Sequence, residues 1–465
     1  MAMTVNNVNT LSLLNILNRT TTAQSRILDQ MATGSKINKG SDDPSGLLAL
    51  TRVQSELTAV NAGISNNQKT DAILGVADGS LTEVASLVDE IQRLANESSN
   101  SSALSAEELA ANQSQIDSAL ASIDRIIQSS QFNGKKLLDG SLGIANAVGN
   151  AGALTDVKVF SKPSSVASTA LTVKVTVAAS QAVVSQVMTN SATVDSTFTV
   201  QGALGVAVIS VTAGENISSV AYKINQAKGQ TGVSAAWPGA GNLRLYSTAF
   251  GAGGFVRTSL IAGDNARINN KYDTGIDASV TVNGQATAVS GKSVNYSGGG
   301  VAVSFQIGTL GAGAASSTTI TVTTGGATFN LGTNSSTRST IGIDGVYTFQ
   351  LGNNTTGYLS SLASGGANSL LSNPGNAADI ARLAAGQVAQ LKGQIGGFQK
   401  FQVRTALNSL NDTKVGLETV KGVIRDVDYA IATAELNKQN ILLQSGISLL
   451  GLVNQQSAQV LSLLK

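Results

Sequence analysis

The sequence predicts a multidomain α+β protein in which long antiparallel coiled-coil helices from both termini enclose a β-rich central insertion. Three observations predict it. Apolar residues recur at steps of three and four along both ends of the chain. The only prolines are Pro44, Pro163, Pro238 and Pro374, so the outer stretches are largely free of helix breakers. Between about residues 145 and 360 the composition changes to short alternating runs of Val, Thr, Ser, Ala and Gly.

Along the first arm, Leu50, Val53, Leu57, Val60 and Ile64 form a heptad seam. The seam lapses over the polar SNNQKTD and resumes at Leu74, Ala77, Leu81, Val84, Val88, Ile91 and Ala95. The spacing predicts one helix from about Ser45 to Ser98, roughly 80 Å long at 1.5 Å per residue. Asp42 and Asp43 beside Pro44, with Gly46 following, read as its cap and as a joint. A second helix opens at the capping box SAEE, where Ser105 caps and Glu108 reaches back, and its seam is Leu109, Ile116, Leu120, Ile123 and Ile127. Asn133-Gly134 then signals a hairpin within 132–142.

In the middle, LTVKVTVAA, TFTVQG, VAVISVTAG, VAVSFQIG and TITVTTGG read as strands with glycine-bearing turns. One helix interrupts them at ENISSVAYKINQA, with Val220, Tyr222 and Ile224 available for packing. The last arm begins at Ile380, Leu383, Val388, Leu391, Ile395 and Phe398 and continues in heptads through Leu410, Leu417, Val420, Ile424, Val427 and Ile431. Apolar residues persist to Leu464, so both ends carry stripes that no single helix can bury alone.

Composition excludes much chemistry. The chain has 465 residues, no cysteine and no histidine, which rules out disulfides, thiol nucleophiles, Cys/His zinc sites and a Ser-His-Asp triad. Only 12% of residues are charged and the net charge is +2, with no cationic cluster, so neither nucleic acid nor an anionic membrane is an expected partner. The apolar run from Ile441 to Val453 is too short and too polar to insert in a bilayer. No basic residue precedes the N-terminal apolar stretch and no small-residue cleavage site follows it, so no cleaved Sec signal is expected. ATAVSGKS at 286–293 fits a relaxed phosphate-loop pattern, but strand and turn residues follow where a helix is required. No cofactor, metal site or catalytic residue is expected.

Several segments together carry a resemblance. SLLNILNRTTTAQSRILDQMATGSKINKGSDDPSGLLAL, SIDRIIQSSQFNGKKLL and LVNQQSAQVLSLLK resemble bacterial flagellin, the filament subunit, in the family's order and at opposite ends of the chain. VTAGENISSVAYKINQAKGQTGVSA resembles the small motif ending in Ile-Asn that recurs in the outer domains of flagellins and hook proteins. The resemblance implies an extracellular structural subunit, exported by the flagellar type III apparatus, that polymerises for motility through terminal helices ordering on assembly. The alternative is a hook–filament junction protein, which shares both helical ends.

The family arrangement divides the chain into an inner-core helix (1–44), a helical spoke (45–145), variable β-rich outer domains (146–360), the returning spoke (361–420) and a second inner-core helix (421–465). On that reading the assembly residues are Leu13, Leu14, Ile16, Leu17, Leu443, Ile447, Leu450, Val453, Val460 and Leu463, and Asp42, Asp43, Pro44 and Gly46 form the joint between helical layers. Implied partners are further copies of the chain, an export chaperone, and junction and cap proteins. Toll-like receptor 5 reads flagellins through two arginines before a shared leucine and a glutamate on the next helix. Placing Leu94 on that leucine puts Glu90 and Gln92 at the arginine positions and Gln115 at the glutamate, with Arg93 one position out of register, so efficient recognition is not expected.

Overall fold

A computed structural model describes residues 8–99, 104–150, 152–163, 167–187, 191–238, 242–263, 267–310 and 316–463, with side chains excepted at 8–9 and 456–463. In chain order the helices are α1 (Val8–Thr33), α2 (Pro44–Ser98), α3 (Ala106–Ser129), α4 (Ile217–Gln226), α5 (Lys228–Thr231), α6 (Pro374–Phe398), α7 (Arg404–Arg425) and α8 (Tyr429–Leu463). Antiparallel strands fill the interval between α3 and α6. Long terminal helices around a β-rich centre are the architecture that the periodicity predicts.

The chain divides into two compact units, one made of Met1–Ser65 with Leu407–Lys465 and the other of Asn66–Ala406. The larger unit holds three buried clusters in nested order along the sequence. The outermost joins α2, α3 and α6 with residues 331–362. Within it, all seven residues of the resumed α2 seam, Leu74 to Ala95, are fully buried, and Ile116, Ile123 and Ile127 of α3 face them. Each large side chain of this seam contributes roughly 1.5–3 kcal/mol to the stability of the helical part.

The second cluster lies between two facing sheets. One has strands 285–286, 279–282, 169–177, 317–325 and 144–148 in that order, and the other 288–290, 293–298, 301–307, 154–162, 338–341 and 327–330. The innermost cluster packs α4 among a three-stranded and a four-stranded sheet spanning 181–274.

Local signals are met at atomic detail. Ser105 accepts from the Glu108 amide while the Glu108 carboxylate accepts from the Ser105 amide at 2.8 Å, completing the capping box. Asn133 and Gly134 both take left-handed backbone conformations between strands 131–132 and 135–136, the geometry of a two-residue hairpin turn.

Four expectations change. The last arm is not one uninterrupted heptad, because Asp426–Asp428 separate α7 from α8, Val427 lies in the break and Ile431 is exposed. A π-helical turn, Gln399–Val403, joins α6 to α7. It places the buried Val403 five residues after the buried Phe398, a spacing that no heptad reading contains. On α4, Val220 and Ile224 are buried but Tyr222 is 65% exposed, since it projects from the opposite side of the helix. The buried apolar residues of 331–362 pack with the helices, Ile341 at the end of the six-stranded sheet included, so the β-rich portion gives way to the helical core before residue 360. Residues 286–293 form a strand, turn and strand, with Lys292 over the Phe250 ring at 3.8 Å, and no helix follows to hold a phosphate.

Candidate assembly surface

Within the smaller unit, α1 and α8 run antiparallel. Their meeting points step along the pair: Tyr429 Oη donates to the Met31 carbonyl at 3.1 Å, Gln24 donates to Asn440 at 2.7 Å, and Gly446 faces Leu17. A Cβ at Gly446 would stand 3.2 Å from Leu17 Cδ2, so glycine there lets the leucine rest on the backbone of α8.

The segments that close the two helices are joined to each other. Gly34, in a left-handed conformation, accepts through its carbonyl from the Val427 amide at 3.1 Å, and the Lys36 amide donates to the Arg425 carbonyl at 2.5 Å. Ser35 and Asp426 pair as an isolated antiparallel bridge. The predicted joint follows directly. Asp42 accepts from the amides of Asn38 at 3.0 Å and Lys39 at 2.8 Å, tightening the turn. Asp43 caps α2 by accepting from the amides of Gly46 at 2.9 Å and Ser45 at 3.1 Å, with Pro44 at the first helical position. These bonds hold both carboxyls below the usual aspartate range, led by the Lys39 amide at Asp42 and the Gly46 amide at Asp43. Any Cβ at Gly46 would collide with Asp43 and with Ile37 Cδ1 at 2.6 Å.

What this unit lacks is a core. None of the three buried clusters reaches it, and its buried apolar side chains among the described residues are Ile27, Ile37, Leu57, Val60, Leu410 and Ala432. Of the predicted assembly residues, Leu13, Leu17, Leu443, Leu450 and Val453 are half-buried, whereas Leu14, Ile16 and Ile447 are exposed, the last two at 54% and 59%. Val460 and Leu463 lie beyond the described side chains.

Heptad reading missed Leu11, Leu442, Leu449 and Leu452, which are also exposed. The available signal was Ile441-Leu442-Leu443 and Leu449-Leu450, consecutive apolar residues that wrap α8 on more than one side. A helix apolar on several faces keeps apolar side chains exposed wherever a single partner helix leaves it uncovered.

The region aligned with the receptor site is arranged otherwise. Leu94 is 1% exposed inside the helical core, which removes it from any receptor-facing surface. Glu90 is held by Arg93 at 2.6 Å, which keeps its carboxyl below the usual glutamate range; Gln92 is half-buried and Gln115 exposed. Among the described residues no group of three or more acidic side chains could hold a metal, and no helix is long and apolar enough to cross a membrane.

Comparison with known proteins bears on both ends. Residues 5–142 match the family model described as the bacterial flagellin N-terminal helical region, and residues 379–464 match its C-terminal counterpart. The two ends of the chain are those of the bacterial flagellin family. Residues 197–249 further match the flagellin hook IN motif, which contains α4, α5 and their flanking strands.

Two curated relatives agree. A flagellin of Clostridium tyrobutyricum is 31% identical over 124 residues, covering 26% of this chain and 33% of its own length. A B-type flagellin of Pseudomonas aeruginosa is 32% identical over 144 residues, 31% of this chain and 29% of its own. The chain spans less than half the length of the curated relatives it matches first. Among solved structures, a flagellar hook-associated protein-3 of Legionella pneumophila covers 84% of this chain and 99% of its own at 13% identity, with a TM-score of 0.27.

Proposed function

We propose that the protein is the structural subunit of a bacterial flagellar filament, polymerising outside the cell through its terminal helices. The observation that carries this reading is the coreless unit of α1 and α8: apolar side chains such as Ile16, Ile441, Ile447 and Leu452 face solvent on a pair of helices that their own chain cannot cover. Identical neighbours supply the missing cover. Each leucine or isoleucine so covered would contribute roughly 1.5–3 kcal/mol toward ordering the two helices. Heterologous contacts that do not close into a ring give an open helical polymer, so the subunit's output is shape and not turnover.

On this reading the layers are those of the family arrangement, with inner-core helices 1–44 and 421–465, spoke segments 45–145 and 361–420, and strands outward. An export chaperone, cap and junction proteins are the expected partners; Toll-like receptor 5 is not, since Leu94 is buried and Glu90 stands at an arginine position. The junction-protein alternative is not favoured, because the curated relatives are flagellins.

The test is seeded assembly of purified protein followed by negative-stain microscopy, beside a version lacking residues 441–465. Long uniform filaments from the intact chain and none from the truncated one are expected. An intact chain that stays monomeric on seeds would overturn the filament reading.

A further inference from the structure

Charge is unevenly distributed along the helices. Residues 71–129 carry ten carboxylates against two arginines, whereas residues 374–425 carry seven lysines and arginines against three carboxylates. In a chain of net charge +2 this is a pronounced separation.

The acidic part presents a face without a partner. On α2, Gly75, Val76, Gly79, Glu83, Ser86 and Asp89 recur on the side turned away from the core and are exposed. Nothing lies within 4 Å of a Cβ placed on Gly75 or Gly79, and Val76 is 40% exposed, so another surface can approach this helix closely. Glu83 and Asp89 have no cationic partner among the described residues, while Arg93 engages only Glu90 and Glu97. Two of the cations within 374–425, Lys421 and Arg425, lie in the smaller unit. There an open groove of about 480 Å³ is lined by Leu50, Thr51, Gln54, Ser55, Thr58, Lys421 and Arg425. Arg425 is shared with Asp426 at 3.0 Å, and Lys421 has no carboxylate partner among the described residues. Arg52 and Glu56, also on α2, add one charge of each sign.

We propose that the acidic face of α2 around Glu83 and Asp89 docks into the Leu50–Lys421–Arg425 groove of a second copy of this chain. The inference rests on the filament reading and specifies a contact within it. Val76 meets the apolar floor at Leu50, the glycines allow the backbone to seat, and the carboxylates meet Lys421 and Arg425. Face and groove are different surfaces of the chain, so the contact is heterologous and propagates in one direction. Complementary charge of this kind sets polarity and encounter rate, and it weakens as the Debye length falls from ~30 Å to ~8 Å between low and physiological salt.

The chain has no cysteine, which allows a direct test in the full-length protein. Glu83→Cys and Lys421→Cys proteins, assembled together on seeds and then oxidised, are expected to give a cross-linked dimer that neither variant gives alone. The double variant is expected to give a ladder of higher oligomers. In parallel, Glu83→Lys with Asp89→Lys, or Lys421→Glu, is expected to slow seeded elongation at low salt at least tenfold, with recovery when the reversals are combined. All three residues lie on exposed or half-exposed positions, and unchanged helicity by circular dichroism checks that the variants fold. Parental elongation rates in the reversed variants, or no mixed cross-link from filaments that do form, would overturn the contact and leave the filament reading standing. A parent chain that does not elongate on seeds would overturn both.

Discussion

At the scale of single residues, the joint at the start of α2 is set by short-range geometry. Asp43 caps the helix, and its carboxyl titrates below the ordinary aspartate range because the Gly46 amide, followed by the Ser45 hydroxyl, stabilises the anion. A carboxyl whose folded value is depressed contributes stability above its unfolded value and loses it as pH falls through the folded one. The parent should therefore lose α2 order in acid below the usual aspartate range, and Asp43→Ala should lack this step; amide exchange at 45–50 across pH measures it. Gly46→Ala should destabilise the joint by about 1–3 kcal/mol, since Ile37 is buried and has no room to retreat from the new methyl. Asp344 has the opposite sign. It is largely buried, its Oδ2 has no hydrogen-bond partner, and desolvation raises its carboxyl while the neighbouring Lys158 only partly opposes this. Its contribution is present below the ordinary aspartate range and is lost as pH rises through the raised folded value. Denaturant midpoints of the parent should therefore fall relative to those of Asp344→Asn across that interval and run parallel below it.

At the scale of elements, helices with the same apolar spacing have different fates, and this is where sequence was both most and least legible. The seam from Leu74 to Ala95 is buried inside the chain, while Ile16 and Ile447 are exposed. Ile91→Ala should cost the monomer about 2–5 kcal/mol in chemical denaturation. Ile16→Ala or Ile447→Ala should change monomer stability by less than about 0.5 kcal/mol yet sharply reduce seeded elongation. A heptad reports that a partner exists without saying whose it is, so spacing located both seams and could not separate these outcomes. Capping and turn signals were readable to the residue at Ser105, Glu108, Asn133 and Gly134 because they depend on local backbone bonds. The π-helical turn was not readable, for its support is tertiary: Gln399 donates to Asp71 at 2.7 Å, and Arg404 approaches the same carboxylate at 3.7 Å. Nor was Gln113, which sits buried on α3 and pins the loop before α6 by donating to the Leu362 carbonyl and accepting from the Leu370 amide, each at 2.8 Å. A glutamine in a seam reads as a polar interruption until its backbone partners, some 250 residues away, are in place.

At the scale of the whole molecule, the nesting of the three cores argues that the strands are an addition the helices do not need. The insertion leaves and re-enters the helical part at one place, where the Gly326 amide donates to the Gly143 carbonyl at 3.0 Å and Gly325 pairs with Ile144. Chain ends that lie side by side can be joined by a short turn at small loop-closure cost. The cut must respect the packing: Leu331, Ile341, Ile343, Val346, Leu351, Leu359 and Leu362 belong to the helical core, so a deletion running to residue 360 would remove part of what it was meant to spare. Replacing residues 145–324 with an Asn-Gly turn keeps those side chains and removes the other two cores except Ile144. If the helices carry assembly, this shortened chain should retain the helical circular dichroism of the parent and elongate on parental seeds into thinner filaments. A shortened chain that folds yet cannot elongate would place essential contacts in the strands, and the surface on α1 and α8 would then be insufficient for a polymer. Thinner filaments would mean that the outer strands are free to vary in sequence so long as Gly143 and Gly326 stay adjacent, because only the helical core and the uncovered terminal helices constrain how one copy meets the next.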